Sequence, residues 1–418
     1  MTAVAGILNK QGVAIAADSA VTVSGLQNRK VYNSANKIFT LSKFHPVGIA
    51  IYNNAQFMGI PWEILIKEYR KNLGQKSFSK LTEYKDDFFQ WLKLNEYFAD
   101  EKQDDFVLID VMSFVQAILN ETLKKNNGKK ENLENNFIQL LSTYIANEIP
   151  KHKKIESLSK LNKKNIETKL SIFMPKIINS LETHTSIQFS KDKIEPLLIN
   201  AYYAYITHDQ FIQFTGLIFT GYGDKELFPQ LLPINVSIVI DGNLRYNLDH
   251  NKIATIGNNQ HSCIRPFAQT DVIDTILQGV SPELNQLSAN VFGNFINGFI
   301  KEIKSIKGMP LNVQKHLETL KAENYVNKYQ SQFNTIVSQK YVNPLMGAVS
   351  QLSKEDLAEM AESLVYLTYL KRRFTMAEES VGGPVDIAVI TKGDGFIWIK
   401  RKHYFNPELN QPFFQKYF

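Results

Sequence analysis

Residues 2–19 have the sequence TAVAGILNKQGVAIAADS, and this stretch decides the fold class that we predict for the chain. Residues 2–8 and 13–19 are small, apolar or β-branched, which is typical of buried β-strands. Asn9 and Gly12 lie between them and favour a tight turn. We therefore predict a β-hairpin whose returning strand brings Asp18 back beside Thr2.

Two kinds of sequence alternate along the rest of the chain. Strand-like segments with glycine turns recur in residues 214–256 and 381–400, as in the first fifty residues. Between them, residues 57–208 and 266–374 have apolar side chains at helical spacing. Because sheet and helix occur in separate blocks, we predict an α+β protein.

Several local features can be predicted within the helical blocks. Amphipathic helices are expected over residues 106–123 and 133–149, and the polar run 124–130 between them is expected to be an exposed loop. Ser353 followed by Asp356 is typical of a capping box that begins another helix.

Composition excludes several classes of protein. The chain has 418 residues, a net charge of +6 and a single cysteine, Cys263, which we expect to be buried and structural. We expect no nucleic-acid partner, since the lysines form no dense block, and no membrane span, since apolar runs are short. The first residues lack a secretion signal, so a cytoplasmic location is expected. The eight histidines form no metal motif, so we expect no metal and no cofactor.

Thr2 and its neighbours suggest the chemistry. Removal of Met1 would give Thr2 a free α-amine, which titrates near pH 7.7 to 8.0 and can accept the proton of the threonine hydroxyl. Lys37 begins the apolar segment KIFTL after a turn at residues 24–25. A lysine and Asp18 can therefore converge on the N-terminus.

These motifs together resemble the catalytic β-subunits of the proteasome and their bacterial relatives HslV and Anbu. The likeness begins with Thr2, AADS, KIFTL and VGIAIYNNA in the first 55 residues. It continues in the expected order with four further segments: FTGYGD (219–224), SIVIDG (237–242), ATIGNN (254–259), taken as the strand leading into a third helix, and VGGPVDIAVITKGDGFIW (381–398).

The resemblance implies a fold, an assembly and partners. The fold would be a single domain over residues 1–418, a four-layer αββα sandwich of the N-terminal nucleophile hydrolases, with two stacked antiparallel sheets between helical layers. Residues 75–208 and 280–352 would be enlarged helical insertions. Family members form rings or spirals, so we expect a homo-oligomer that acts on a peptide or protein substrate. The resemblance also leaves room for an ATPase or another regulator as a partner.

The resemblance also implies catalytic roles. Thr2 would be the nucleophile with its own amine as the general base, and Asp18 would orient the site and bind the catalytic lysine. Lys37 matches that lysine, and Lys30 is the alternative. A positive charge near the amine would lower the amine pKa and keep it basic.

Supporting roles fall on less well matched positions. The backbone N–H of Tyr52 or Asn53 would bind the oxyanion, although the family has glycine there, and Thr22 would bind the substrate main chain. Asn258 aligns with a supporting serine in the strand-to-helix turn. Glu378 and Ser380 align approximately with a late aspartate and serine.

The predicted function is a threonine peptidase that cleaves peptide bonds by acyl transfer to Thr2 and then to water. Two alternatives stay open at this point. One is a small-molecule amidase or acylase on the same fold, since N-terminal nucleophiles also serve acylases. The other is a catalytically silent scaffold subunit like the proteasome α-subunits.

Overall fold

The computed structural model describes residues 2–24, 29–94, 96–98, 100–375 and 381–412. The protein is α+β with antiparallel sheets, which confirms the predicted class at that level. It divides into two compact units. The first unit comprises the described residues of Met1–Ala35, Ala254–Thr391 and Ile397–Phe418, and the second those of Asn36–Ile253 and Lys392–Phe396.

The strands and helices alternate in blocks, as the sequence predicts. The strands are β1 (Ala3–Asn9), β2 (Val13–Ala17), β3 (Val21–Ser24), β4 (Arg29–Tyr32), β5 (Ile38–Thr40), β6 (Val47–Asn53), β7 (Gln56–Phe57), β8 (Ile60–Pro61), β9 (Thr215–Gly221), β10 (Gln230–Ile240), β11 (Asn243–Leu248), β12 (Ala254–Thr255), β13 (Ser262–Ala268), β14 (Asp386–Thr391) and β15 (Gly395–Lys400).

The α-helices fall between β8 and β9 and between β13 and β14. They are α1 (Trp62–Leu73), α2 (Leu81–Lys93), α3 (Asp100–Lys125), α4 (Leu133–Thr143), α5 (Lys163–Thr185), α6 (Lys191–Thr207), α7 (Asp271–Gln278), α8 (Pro282–Ser305), α9 (Leu311–Thr319), α10 (Ala322–Val337), α11 (Asn343–Val349) and α12 (Lys354–Phe374).

The first unit contains the predicted hairpin at the centre of a sheet with strand order β13-β1-β2-β14-β15. The register of β1 and β2 runs from Val4 opposite Ala17 to Leu8 opposite Val13, which confirms the hairpin. Every residue of both strands is buried. The hairpin is therefore the interior of this unit.

Helix α12 covers one face of that sheet. Its Leu357, Ala361 and Leu364 pack against β1 and β2, where Ala3 and Ala14 are among the buried residues of the same cluster. Small alanine side chains on the strands let the helix approach closely, and such dense packing is what stabilises a core. The alanine-rich hairpin sequence is thus suited to a helix lying on it.

The second unit is built on a sheet with strand order β11-β10-β9-β6-β5. Helices α1 and α2 contribute Trp62 and Phe88 to a core that also contains Phe219 of β9. The Phe88 and Phe219 rings lie 5.6 Å apart in an edge-to-face arrangement. Aromatic pairs of this kind stabilise a core beyond their buried area.

Residues 75–208 contain helices α2 to α6, and α3 to α6 enclose a separate hydrophobic cluster of the second unit. Part of α3, Lys102–Lys125, is long and apolar enough to cross a membrane by length and composition. In this structure its Val107, Val111 and Phe114 are buried in that cluster. Of the most apolar 18-residue stretch of this helix, 44% is buried.

Two local predictions were accurate and one needs correction. The Ser353 hydroxyl accepts the Asp356 N–H at 3.2 Å and the Asp356 carboxylate accepts the Ser353 N–H, so the capping box is confirmed. The exposed loop predicted over residues 124–130 is present, but it starts after α3 ends at Lys125 and extends over residues 126–132. The helix predicted over residues 133–149 ends at Thr143 and continues as a π-helical turn, Tyr144–Glu148.

We expect Ser353→Ala to lower the free energy of unfolding by about 1 kcal/mol, because one backbone N–H of α12 loses its capping acceptor. Urea unfolding followed by circular dichroism measures the change. Ser350→Ala is the matched control, since its exposed hydroxyl donates to the Gly347 carbonyl and accepts from the Gln351 side-chain amide, neither of which belongs to α12. Equal losses in both variants would contradict a specific role for the cap.

Candidate active site

Thr2 and Asp18 lie together at one end of the hairpin. The peptide N–H of Ala3, the residue that follows Thr2, donates to Asp18 Oδ1 at 2.9 Å, and the Asp18 N–H donates to the Ala3 carbonyl at 3.1 Å. Thr2 is only 4% exposed and Asp18 only 1%. The buried carboxylate therefore holds the backbone immediately after Thr2.

The Asp18 carboxylate also binds two other backbone segments. Its Oδ2 accepts the N–H of Ala20 at 3.1 Å and the N–H of Gly382 at 3.0 Å. Hydrogen bonds to an ionised acceptor are stronger than neutral ones, and a buried carboxylate requires such partners. Asp18 thus joins the start of β1, the end of β2 and the segment that precedes β14.

The segment VGGP at residues 381–384 is shaped to meet Asp18 and Ser19. The Ser19 N–H donates to the Gly382 carbonyl at 3.0 Å, and the Ser19 hydroxyl donates to the Pro384 carbonyl. Gly383 has a φ of +75°, and a Cβ there would lie 2.7 Å from Cβ of Asn33. Glycine is required at this position by both the dihedral and the space.

The carbonyl of Thr2 is held by a residue that the sequence did not indicate. The N–H of Gln269 donates to the Thr2 oxygen at 3.1 Å. Gln269 follows β13, which pairs with β1 over its whole length, from Ala3 opposite Ala268 to Asn9 opposite Ser262. The strand-to-helix turn next to Thr2 is therefore formed by residues 268–270, which lead into α7.

This geometry corrects the placement of Asn258. Asn258 lies in an exposed turn before β13, at the Asn9 end of β1 and thus at the opposite end of that strand from Thr2. The sequence prediction was wrong because ATIGNN was taken as the strand that leads into a helix. In the structure Ala254–Thr255 is a two-residue strand followed by another strand, and the strand that leads into a helix is β13.

A second feature that sequence reasoning missed is Asp386, the first residue of β14. Asp386 is buried and lies opposite Ala17 in the sheet. The backbone N–H of Lys402 donates to its Oδ1 at 2.8 Å, and the Lys402 ammonium contacts its Oδ2. The signal was an aspartate at the start of an otherwise apolar strand, VDIAVI, which demands a partner.

Of four further predicted positions of the first unit, two can be placed by their strand register and two cannot be placed. Thr22 lies in β3, opposite Val31 of β4, and within the described residues these two strands form a sheet by themselves. Lys30, the alternative lysine, lies in β4 opposite Val23. Glu378 and Ser380 lie outside the described residues, as does Met1.

Lys37, Tyr52 and Asn53 belong to the second unit. Lys37 directly precedes β5 and is only 3% exposed, and its carbonyl accepts the Ile51 N–H at 2.8 Å. Lysine is almost never so deeply buried unless its ammonium group is paired. Burial thus distinguishes Lys37 from an ordinary strand-edge lysine facing solvent.

The end of β6 supplies the candidate oxyanion donor. N–H groups alternate between the two edges of a strand, so the Asn53 N–H lies on the same edge as that of Ile51, which bonds the Lys37 carbonyl. The Tyr52 N–H lies on the other edge, toward its partner Gly216 on β9. Asn53 also has a φ of +66°, a conformation that favours glycine. Asparagine tolerates it, so the backbone shape expected of a glycine is kept.

The Tyr52 side chain lies over Gly216 of the neighbouring strand. A Cβ on Gly216 would lie 1.9 Å from the ring, so a larger residue there would displace it. Burial, with the Asp249 carboxylate, raises the pKa of the Tyr52 phenol above its ordinary value, which keeps it neutral. The hydroxyl donates to Asn235 at 3.4 Å. Tyr52 is thus directed into the unit by packing.

The remaining reactive side chains fit structural roles. Cys263 is buried in β13, and burial raises the pKa of its thiol, which disfavours the reactive thiolate. Across the described ranges, no three His, Cys, Asp or Glu side chains cluster closely enough to hold a metal ion.

Asp18→Asn should lower the free energy of unfolding by about 1.5 to 3 kcal/mol, because an amide cannot accept all three backbone N–H groups. Urea denaturation measures the loss, and faster hydrogen exchange of the Ala3 amide would locate it. Asp192→Asn, an exposed position on α6, serves as the control. An unchanged Ala3 exchange rate would contradict the role assigned to Asp18.

Comparison of the chain with models of known protein families, and with curated protein sequences, finds no match.

Proposed function

We propose that this protein is a threonine-type N-terminal nucleophile hydrolase, a proteasome-like peptidase with the four-layer αββα fold. The single observation that carries the proposal is the buried Asp18 carboxylate bonded to the Ala3 N–H at 2.9 Å. Burying a carboxylate beside the start of β1 costs solvation free energy. That cost is explained if the Asp18 carboxylate holds Thr2 in position for catalysis.

The proposed reaction uses both functional groups of Thr2 once Met1 has been removed. The α-amine accepts the hydroxyl proton as Thr2 Oγ attacks the scissile carbonyl, and the C–N bond of the substrate then breaks as the leaving amine takes the proton. Water next attacks the Thr2 ester as the α-amine accepts one of its protons; the bond between the acyl carbon and Thr2 Oγ then breaks, the amine returns that proton to Oγ, and the acid is released. Atoms and charge balance without a cofactor.

Asp18 and Lys37 would set the electrostatics of this step. A lysine ammonium near the α-amine lowers the pKa of that amine, so more of it is unprotonated at neutral pH. We assign this role to Lys37 because it is deeply buried, and Asp18 would balance its charge. Asp18 also fixes the backbone of residue 3, so the nucleophile keeps one orientation.

Substrate binding would use backbone groups. The N–H of Asn53 is the proposed oxyanion donor, since the residue keeps a left-handed conformation. Within the described part of the chain β3 pairs with β4 alone, so its other edge can add an extended peptide strand at Thr22.

Thr2→Ala should reduce peptide hydrolysis by about 10⁴-fold or more, because both the nucleophile oxygen and its proton transfer are lost. A panel of fluorogenic peptides and simple acyl amides measures the activity. Intact-mass spectrometry of the same samples establishes whether Met1 is absent. Thr168→Ala, an exposed helix position, should keep full activity.

Three outcomes would contradict this function. A chain that retains Met1 has no free Thr2 amine, which removes the mechanism. If the wild type and Thr2→Ala have equal activity, Thr2 is not the nucleophile, and the scaffold alternative remains. If the protein hydrolyses acyl amides but none of the peptides, it is an amidase and not a peptidase.

We also propose that the chain self-associates through α8. Five large apolar side chains form a stripe on one face of this helix, and each is more than half exposed: Leu284, Leu287, Val291, Phe295 and Phe299. Glu283 lies at the N-terminal end of the helix and Lys301 and Lys304 near its C-terminal end. An antiparallel α8 from a second copy would bury the stripe and bring each glutamate near the lysines of the other helix.

Phe295→Lys should convert the assembly to single chains, because a charge placed in the middle of the stripe resists burial. Analytical ultracentrifugation at micromolar concentration measures the change. Ile172→Lys is the control, since Ile172 is equally exposed, at 68%, but lies on α5. A wild type that sediments as a single chain would refute this interface.

A further inference from the structure

A cavity of about 210 Å³ lies within the second unit, between α3 and the ends of the sheet strands. Its apolar wall includes Phe106 and Ile109 of α3, and its polar lining includes Asn54, Thr215 and Ser237. The volume is below the roughly 300–1,000 Å³ of a site for a drug-sized ligand. It is therefore suited to a single amino-acid side chain.

Asp110 is the one charged residue that lines this cavity. It is 3% exposed, and its Oδ2 accepts the Tyr202 hydroxyl at 2.9 Å. Its Oδ1 has no hydrogen-bond partner among the residues that the structure describes. A buried carboxylate oxygen without a donor is costly, and a ligand that supplies a donor would relieve that cost.

Arg245, a buried cation that acts on Asp110 electrostatically, makes its hydrogen bonds to other groups. Arg245 is fully buried, and its guanidinium donates to the carbonyls of Ile206, at 2.8 Å, and Gln210, at 2.6 Å. It donates also to Ser237 Oγ at 3.3 Å. Burial raises the pKa of the Asp110 carboxyl, although Arg245 and the Tyr202 hydroxyl favour its ionised form. The carboxyl therefore lacks enough positive partners of its own.

The position of the cavity connects it with the proposed site. Asn54, which lines the cavity, directly follows Asn53, the proposed oxyanion donor. A substrate residue whose carbonyl oxygen bonds the Asn53 N–H has its own side chain within one residue of this opening. Under the proposed function, in which Asn53 binds the oxyanion, the cavity would hold the side chain on the acyl side of the scissile bond.

We propose that this cavity selects a basic substrate residue, lysine or arginine, whose terminal N–H donates to Asp110 Oδ1 while its aliphatic stem contacts Phe106. The role of the cavity in cleavage rests on the proposed function, but binding of a basic ligand to the cavity can be measured whether or not the protein is a peptidase. The helical insertion would thus supply the specificity of the enzyme, through α3.

Binding is tested first, in a Thr2→Ala background that removes turnover. Isothermal titration calorimetry compares N-acetyl-arginine amide with its neutral analogues, the N-acetyl amides of citrulline and norleucine. A charged hydrogen bond corresponds to about a 10- to 100-fold preference for arginine, and Asp110→Asn should abolish it. Equal binding of arginine and citrulline would overturn the proposal.

Two further variants guard against an effect on folding alone. Asp87→Asn is the matched control, because Asp87 also accepts a tyrosine hydroxyl, from Tyr69 at 2.9 Å, but does not line the cavity. It should keep the arginine preference. Ile109→Trp leaves Asp110 intact and obstructs the cavity from a position that is 55% exposed. It should weaken arginine binding, and undiminished binding in this variant would overturn the proposal.

Cleavage is tested separately with the wild type and fluorogenic peptides that carry Arg, Lys, Leu or Glu before the scissile bond. We expect kcat/KM to favour Arg and Lys by the same 10- to 100-fold, and Asp110→Asn to remove the preference. If arginine binds through Asp110 but no peptide is hydrolysed, the proposed peptidase function is wrong, whereas the proposal that the cavity binds a basic side chain is supported. If peptides are hydrolysed with no preference for a basic residue and arginine does not bind, the proposal for the cavity is wrong and the proposed peptidase function stands.

Discussion

The first unit depends on one buried carboxylate. Asp18 accepts backbone N–H groups from Ala3 at the start of β1, from Ala20 shortly after β2 and from Gly382 before β14, so three parts of the chain have one acceptor in common. Removing such an acceptor would leave several donors unsatisfied in the core, which is costly. Three features of the unit are compatible with bringing these donors together: the alanine-rich hairpin, the helix on its face and the glycines of residues 382–383.

A second buried polar group organises the second unit. Arg245 lies between the rings of Tyr205 and Phe211 and bonds carbonyls at the end of α6, where the helix leaves acceptors unpaired. Its guanidinium thereby joins β11 to the helical insertion. Asp110, also buried in this region, has one carboxylate oxygen without a hydrogen-bond partner among the described residues, and the proposed role of the cavity is argued from that oxygen.

Local sequence patterns predicted the elements well and the distant contacts less well. The hairpin and the Ser353 capping box were found because each depends on residues close together in the chain. The placement of Asn258 failed because two short strand-like segments, 254–259 and 262–268, follow one another, and only the pairing of β13 with β1 decides which one reaches Thr2. The π-helical end of α4 likewise has no signal in apolar periodicity.

The sequence by itself determined the α+β class, the hairpin beside Thr2 and the residue types available for chemistry, since these follow from neighbouring residues and their spacing. Only the tertiary structure decided what those residues contact. The Asp18 carboxylate meets an N–H that lies 364 residues away, and the Asp110 cavity is formed by a helix and strands from distant segments. Such contacts arise from the packing of the whole unit, which no local spacing encodes.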